Sequence, residues 1–345
     1  MPAEGGSQAL QVQASIYGCE GLTLTDAEAR FFRDANPWGF ILFARNVDTP
    51  DQIAALCVSL RETVGRDAPI LIDQEGGRVA RLKPPHWRKH PPVRRYGDLF
   101  QRDKAVGLEA CQLGAFLIGQ ELRALGIDVD CVPLADVPQP GAHDIIGDRA
   151  YGETPDQVTA LARAAATGLE EAGVLPVLKH IPGHGRAGVD SHEDLPVVDA
   201  SAESLREIDF RPFMSLADLP LGMTAHVVFT ALDKERPATT SRDVIRLIRE
   251  EIGFDGLLMG DDLSMKALGG PMGSRVTESI GAGCDLVLHC NSHMNEMEAV
   301  AAATSALSPP ALLRSETALS RRKPFKNESL AAAVQRWDEL LSASS

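Results

Sequence analysis

The chain has 345 residues, 44% of them hydrophobic and 24% charged, the balance of a soluble globular protein long enough to bury a sizeable core. A formal net charge of −14 at pH 7 repels phosphate backbones and argues against nucleic acid as a partner. Cys19, Cys57, Cys111, Cys131, Cys284 and Cys290 form no Cys-x-x-Cys pair, which excludes an obvious disulfide framework and reads as buried free thiols in a reducing compartment.

The opening "MPAEGGSQALQVQ" has no basic region followed by an apolar run, so no signal peptide is expected. No apolar run is long enough to cross a bilayer, and a cytoplasmic location is the expectation.

Short apolar runs then alternate with helical patterns. A strand over Ser15–Cys19 leads to a helix start at Thr25, with Glu28 completing a capping box. A strand over Gly39–Ala44 is followed by "TPDQIAALCVSLRETVG", where Thr49-Pro50 opens a helix. The strand Ile70–Asp73 runs into "LKPPHWRKHPPVRRYGDLF", whose prolines and basic residues read as loop. Next come a strand over Asp128–Leu134 and a helix from Thr154-Pro155 to Gly173. Strands over Leu175–His180 and Gly222–Val228, a helix from Ser241 to Gly253, and strands over Gly256–Met259 and Asp285–His289 complete the series. Residues 308–345 read as a loop and a terminal helix, "ESLAAAVQRWDELL", packed on the rest.

Eight strands alternating with helices predict a single α/β domain over residues 1–345, a (β/α)8 barrel of the TIM type. The alternative, an open doubly wound sheet, lacks the Gly-x-Gly-x-x-Gly fingerprint after an early strand.

In such a barrel the chemistry sits where strands end. The third strand ends in "LIDQEGGRVARL", the fifth in "LKHIPGHGRAGVDSHEDLP" and the seventh in "LLMGDDLSM". Of Asp261 and Asp262, strand alternation sends one toward the barrel axis as a candidate nucleophile for an acetal carbon. The other suits a helix N-cap. Lys179 and His180 stand at a strand end. In "VDSH", Asp190 can orient the imidazole of His192 for acid/base work. Asp73 suits two sugar hydroxyls with Arg81 locking its orientation, or else a buried Asp–Arg bridge, and Arg149 of "IIGDRAYG" offers another donor. His226 is as suited to structure as to function. His184, between two glycines, suits holding a loop's shape. A rival reading makes His180, His184, Asp190 and His192 metal ligands, but Pro182, Gly183 and Gly185 spoil the helix that this spacing needs.

At "LIDQEGGRVARL", "KHIPGHG", "DSH" and "DDLSM", in that order over about residues 15–300, the chain resembles glycoside hydrolase family 3, in particular its single-domain bacterial β-N-acetylhexosaminidases of cell-wall recycling. The resemblance implies that Asp261 is the nucleophile and that Asp190 and His192 form the acid/base dyad. It implies that Asp73, Arg81, Arg149, Lys179 and His180 hold a non-reducing N-acetylglucosamine. It further implies release of that sugar, with retention, from 1,6-anhydro-N-acetylmuramic acid with or without a stem peptide. No metal or other cofactor is implied, and the expected partner is this small muropeptide, met by a monomer away from any membrane. Gly260 departs from the family's usual Ser or Thr, Ile181 from its common Phe, and "GRAGVDSH" from the frequent "GDT" start. A related exo-glycosidase, a glycoside phosphorylase and an idle sugar-binding barrel are the alternatives.

Overall fold

The computed structural model describes residues 11–191, 194–325 and 329–342. Eight parallel strands close a barrel: β1 (Gln13–Gly18), β2 (Pro37–Leu42), β3 (Ile70–Ile72), β4 (Val129–Asp130), β5 (Leu175–Ile181), β6 (Leu221–Thr224), β7 (Leu257–Asp262) and β8 (Leu286–His289). They follow one another in chain order around the ring, and β8 closes on β1 with Ser15 beside Val287 and Tyr17 beside His289. Helices fill the crossovers, as strand–helix alternation requires of a (β/α)8 barrel.

Strand alternation divides the core in two. Ile16, Ile41, Leu71, Val177, Met259 and Leu288 belong to the cluster that fills the barrel. Tyr17, Phe40, Ile70, Leu178 and Leu258 face outward into the layer under the helices. The helices start where their sequences say. Thr25 and Glu28 exchange side-chain and backbone hydrogen bonds ahead of the helix Asp26–Ala35. Thr49 and Thr154 cap Pro50–Val64 and Pro155–Ala172, which leave through Gly65 and Gly173 in the left-handed region, at φ 65° and 86°. Each such N-cap is worth about 1 kcal/mol.

Two segments expected as loop are helical instead. The insert after β3 is loop only to Val93. Arg94–Arg102 is a helix, and Asp103 caps the next, Lys104–Ala124. The prolines end at Pro92, and Gly97 beyond them serves close packing, since a Cβ there would meet the Tyr151 carbonyl. The stretch from residue 308, expected as loop ahead of a terminal helix, likewise holds a helix, Pro309–Ser320, capped by Ser308, before the terminal helix Ala331–Ser342. Pro309 and Pro310 sit in a first turn, where proline starts a helix rather than breaking it. Pro309–Ser320 closes the N-terminal end of the barrel. Its Ala311 and Ala318 join the interior cluster, and Trp38 Nε1 donates to Ser315 Oγ at 2.7 Å. No helix among the described residues is long and apolar enough to cross a membrane.

Candidate active site

The alternation that fills the barrel continues past its last apolar residues. Asp73 follows Leu71 by two places, Lys179 follows Val177, Asp261 follows Met259 and Cys290 follows Leu288, so all four reach the mouth at the C-terminal ends of the strands. With Arg81, Arg149, His180, His184 and Ser191 they line a pocket of about 380 Å³.

One wall is an ion-pair network. Asp73 accepts from Lys179 Nζ at 3.0 Å and from Arg81 Nη2 at 3.2 Å. Glu75 accepts from Lys179 Nζ at 2.7 Å and from Arg149 Nε and Nη2 at 2.8 and 2.7 Å, a two-pronged guanidinium grip. Burial alone would raise both carboxyls. Lys179 with Arg81 at Asp73, and Arg149 with Lys179 at Glu75, outweigh it and hold both below the usual carboxylate range. Burial would likewise neutralise Lys179, but Glu75 and Asp73 raise its pKa and keep it charged. Gln74 sets the loop's course: it accepts from the Arg81 and Leu82 amides and donates to the Leu82 carbonyl.

A second wall is built on Asp136, which is wholly buried. Its Oδ2 lies 2.8 Å from His180 Nδ1, and its Oδ1 accepts from the His184 amide at 2.6 Å. Burial opposes its charge, but His180, His184 and that amide prevail and lower its pKa. An ionised Asp136 only accepts, so His180 donates from Nδ1 and keeps Nε2 for the pocket. The Lys179–His180 peptide bond is cis. His184 Nε2 lies 3.3 Å from Ser191 Oγ, and burial followed by the neighbouring His180 pushes its pKa down to about 4. The Ser191 carbonyl accepts from the Ala267 amide at 3.3 Å, which ties the loop after β5 to the loop after β7. Asp190 is half-buried beside Ser191 and is not part of the pocket lining. His192, the expected acid/base, lies outside the described residues.

The third wall ends β7. Asp261 Oδ1 accepts from the Asp262 amide at 2.8 Å. Burial would raise its pKa, yet His226, His180, that amide and Lys179 lower it, leaving an ionised carboxylate in the pocket. Asp262 points the other way and holds a turn: it accepts from the Ser264 and Cys290 amides, each at 3.0 Å, and from the Ser264 hydroxyl. It caps a turn and not a helix. His226 is fully buried behind this strand and is not part of the pocket lining.

Of the residues singled out in the sequence, Asp73, Arg81, Arg149, Lys179, His180 and Asp261 therefore share one cavity. Glu75 and Asp136 do not stand out in the sequence, though each has a signal. Glu75 is a charge two places beyond Asp73, and Asp136 is a lone charge in the apolar run "VPLADV". Among the described residues no group of three or more His, Cys, Asp or Glu is placed to hold a metal ion.

The sequence profile of the glycosyl hydrolase family 3 N-terminal domain matches residues 6–317. A β-hexosaminidase of Bordetella parapertussis is 36% identical over 275 residues, 79% of this chain and 78% of that protein. The crystal structure of NagZ from Neisseria gonorrhoeae in complex with N-trifluoroacetyl-D-glucosamine superposes with a TM-score of 0.86 at 26% identity, over 97% of this chain and 99% of that one. A family 3 β-N-acetylglucosaminidase from Paenibacillus superposes with a TM-score of 0.81 at 32% identity over 96% of this chain, which spans 62% of that longer protein.

Proposed function

The chain belongs to glycosyl hydrolase family 3, and from that premise we propose that it is a retaining exo-β-N-acetylglucosaminidase of peptidoglycan fragments. Its substrate on this reading is N-acetylglucosamine joined to 1,6-anhydro-N-acetylmuramic acid, with or without a peptide, met in the cytoplasm by a monomer. The observation that carries the reading is the ionised Asp261 carboxylate, set in the mouth of the barrel in one pocket with Asp73, Arg81, Arg149, Lys179 and His180. The Neisseria protein's complex with an N-acylated glucosamine supports the choice of sugar.

Asp261 attacks the anomeric carbon through the oxygen not held by the Asp262 amide. The glycosidic C–O bond breaks and its oxygen takes a proton from His192, which Asp190 orients. Water, deprotonated by His192, then attacks the same carbon, expels Asp261 and releases the sugar with its β configuration kept. Asp73, Lys179, Arg149 and His180 hold the sugar's hydroxyls, with Arg81 steadying Asp73. Retaining glycosidases commonly use two carboxyls. A histidine in place of the second spares Asp261 the repulsion of a like charge.

The test is the initial rate on p-nitrophenyl N-acetyl-β-glucosaminide beside the β-glucoside, with and without phosphate. Selective, phosphate-independent release that disappears in Asp261→Ala is the expected result. A faster glucosidase, or release that depends on phosphate, sinks the proposal. His192→Ala is expected to lose about 10²–10⁴-fold on substrates with poor leaving groups and far less on activated aryl glycosides. Equal losses on both would leave His192 without an acid role.

A further inference from the structure

Gly260 stands one residue before Asp261, and a neighbouring turn occupies the space that this glycine leaves. A Cβ on Gly260 would lie 2.9 Å from Thr239 Cγ2, and among the described residues no other atom beyond its own chain neighbours lies within 4 Å. Thr239 is wholly buried in the turn Ala238–Thr240 that follows β6. Its methyl thus stands where a side chain at 260 would go. Its hydroxyl lies 2.7 Å from His226 Nδ1 and 2.7 Å from Thr224 Oγ1. His226 Nε2 in turn lies 3.0 Å from the Asp262 carbonyl.

The donors along this chain can be assigned. The Asp262 carbonyl only accepts, so His226 carries its proton on Nε2 and accepts at Nδ1. The Thr239 hydroxyl faces two acceptors, Nδ1 at 2.7 Å and the Ala225 carbonyl at 3.2 Å; it gives its proton to the nearer, Nδ1, and its oxygen accepts from the Thr224 hydroxyl. Burial lowers the His226 pKa and so favours the neutral ring, the form in which this order of donors holds. The chain ends on the residue whose own amide holds Asp261 Oδ1.

We propose that Thr239 and His226 are positioning residues for Asp261: the Thr239 methyl braces the backbone at Gly260, and the Thr224–Thr239–His226 chain fixes Asp262. The proposal rests on Asp261 being the nucleophile. It gives this chain a substitute for the Ser or Thr that resemblance leads one to expect at 260.

Steady-state kinetics on p-nitrophenyl N-acetyl-β-glucosaminide, with unfolding midpoints alongside, test it. Thr239→Val keeps the shape and loses the hydroxyl. It is expected to lower kcat about tenfold with KM changed less than about twofold, and Thr239→Ser, which keeps the hydroxyl but loses the methyl brace, to give a kcat between that of Thr239→Val and the wild type. Gly260→Ser presses a Cβ on the Thr239 methyl and lowers kcat. Adding Thr239→Ser, which removes that methyl, restores it. Additive losses in the Gly260/Thr239 pair, or a wild-type kcat in Thr239→Val, overturn the proposal. Should Thr239→Val unfold, the Gly260/Thr239 pair decides alone. Turnover kept by Asp261→Ala marks a different failure, that of the nucleophile assignment, and removes the proposal with it.

Discussion

Lys179 shows how much a single residue holds at this site. It is 2% exposed and pairs with both Asp73 and Glu75. Lys179→Met leaves Asp73 to Arg81 and Glu75 to Arg149, two neighbouring carboxylates each short of one partner, at a cost of about 1–3 kcal/mol, to be read from urea unfolding at neutral pH. In the native protein both carboxyls titrate below their unfolded values. Their contribution is therefore complete above the unfolded carboxyl range and is lost as pH falls through the folded values. The buried histidine has its own window. His184 is shifted down from 6.5 to about 4, so the folded state favours the neutral ring. Its contribution is full above pH 6.5 and is lost between there and about pH 4; His226 and His289, also lowered, act in the same sense. His184→Gln is expected to flatten the fall of the unfolding midpoint over that range, and an unchanged slope would show that His184 does not titrate there. Asp73, Lys179, His180 and Asp261 were legible because polar groups at the end of an apolar strand have no packing reason to be there. Asp136 was not, because its partner His180 is 44 residues away and only the pairing of β4 with β5 and the path after it bring the two together.

Among the elements, Pro309–Ser320 has a job that its sequence hid. Its alanines lie under the barrel and its Ser315 takes the Trp38 indole proton. Ser315→Ala removes that acceptor and leaves a buried donor unpaired, at a cost of about 1–3 kcal/mol. The check is urea unfolding with an unchanged slope. Ser315→Thr, which keeps the hydroxyl, is expected to lose less, and equal losses would assign the effect to packing. The eight strands could be read because both of their faces are covered, which makes them apolar at consecutive positions. The helices with a Thr-Pro start and a Gly exit could be read because backbone chemistry alone sets those ends. Pro309–Ser320 uses Ser308 and two prolines in the same way, yet its amphipathic pattern is weakened by exposed Leu312 and Leu313. Arg94–Arg102 was hidden by the prolines before it, which belong to a different stretch of chain.

At the scale of the whole molecule, the closed barrel decides how a polymer can approach. Ile41, Met223 and Leu288 lie at the floor of the pocket and continue into the packed interior, so nothing passes through. The cavity, about 380 Å³, is at the small end of ligand pockets, and its charged walls stand around it on several strands. A sugar can enter only end-on, with the rest of its chain left outside. The enzyme is therefore expected to cut one residue at a time from the non-reducing end. Chitotetraose distinguishes this from internal cleavage: early products should be N-acetylglucosamine and the trisaccharide in equal amounts, with the disaccharide appearing only later. EDTA should leave the rate unchanged, since every step proposed runs through side chains of the chain itself. Early disaccharide without trisaccharide would mean that the chain lies across the mouth, and the loop that carries Asp190 would then have to stand open in a way that its ties through Ser191 to His184 and Ala267 oppose.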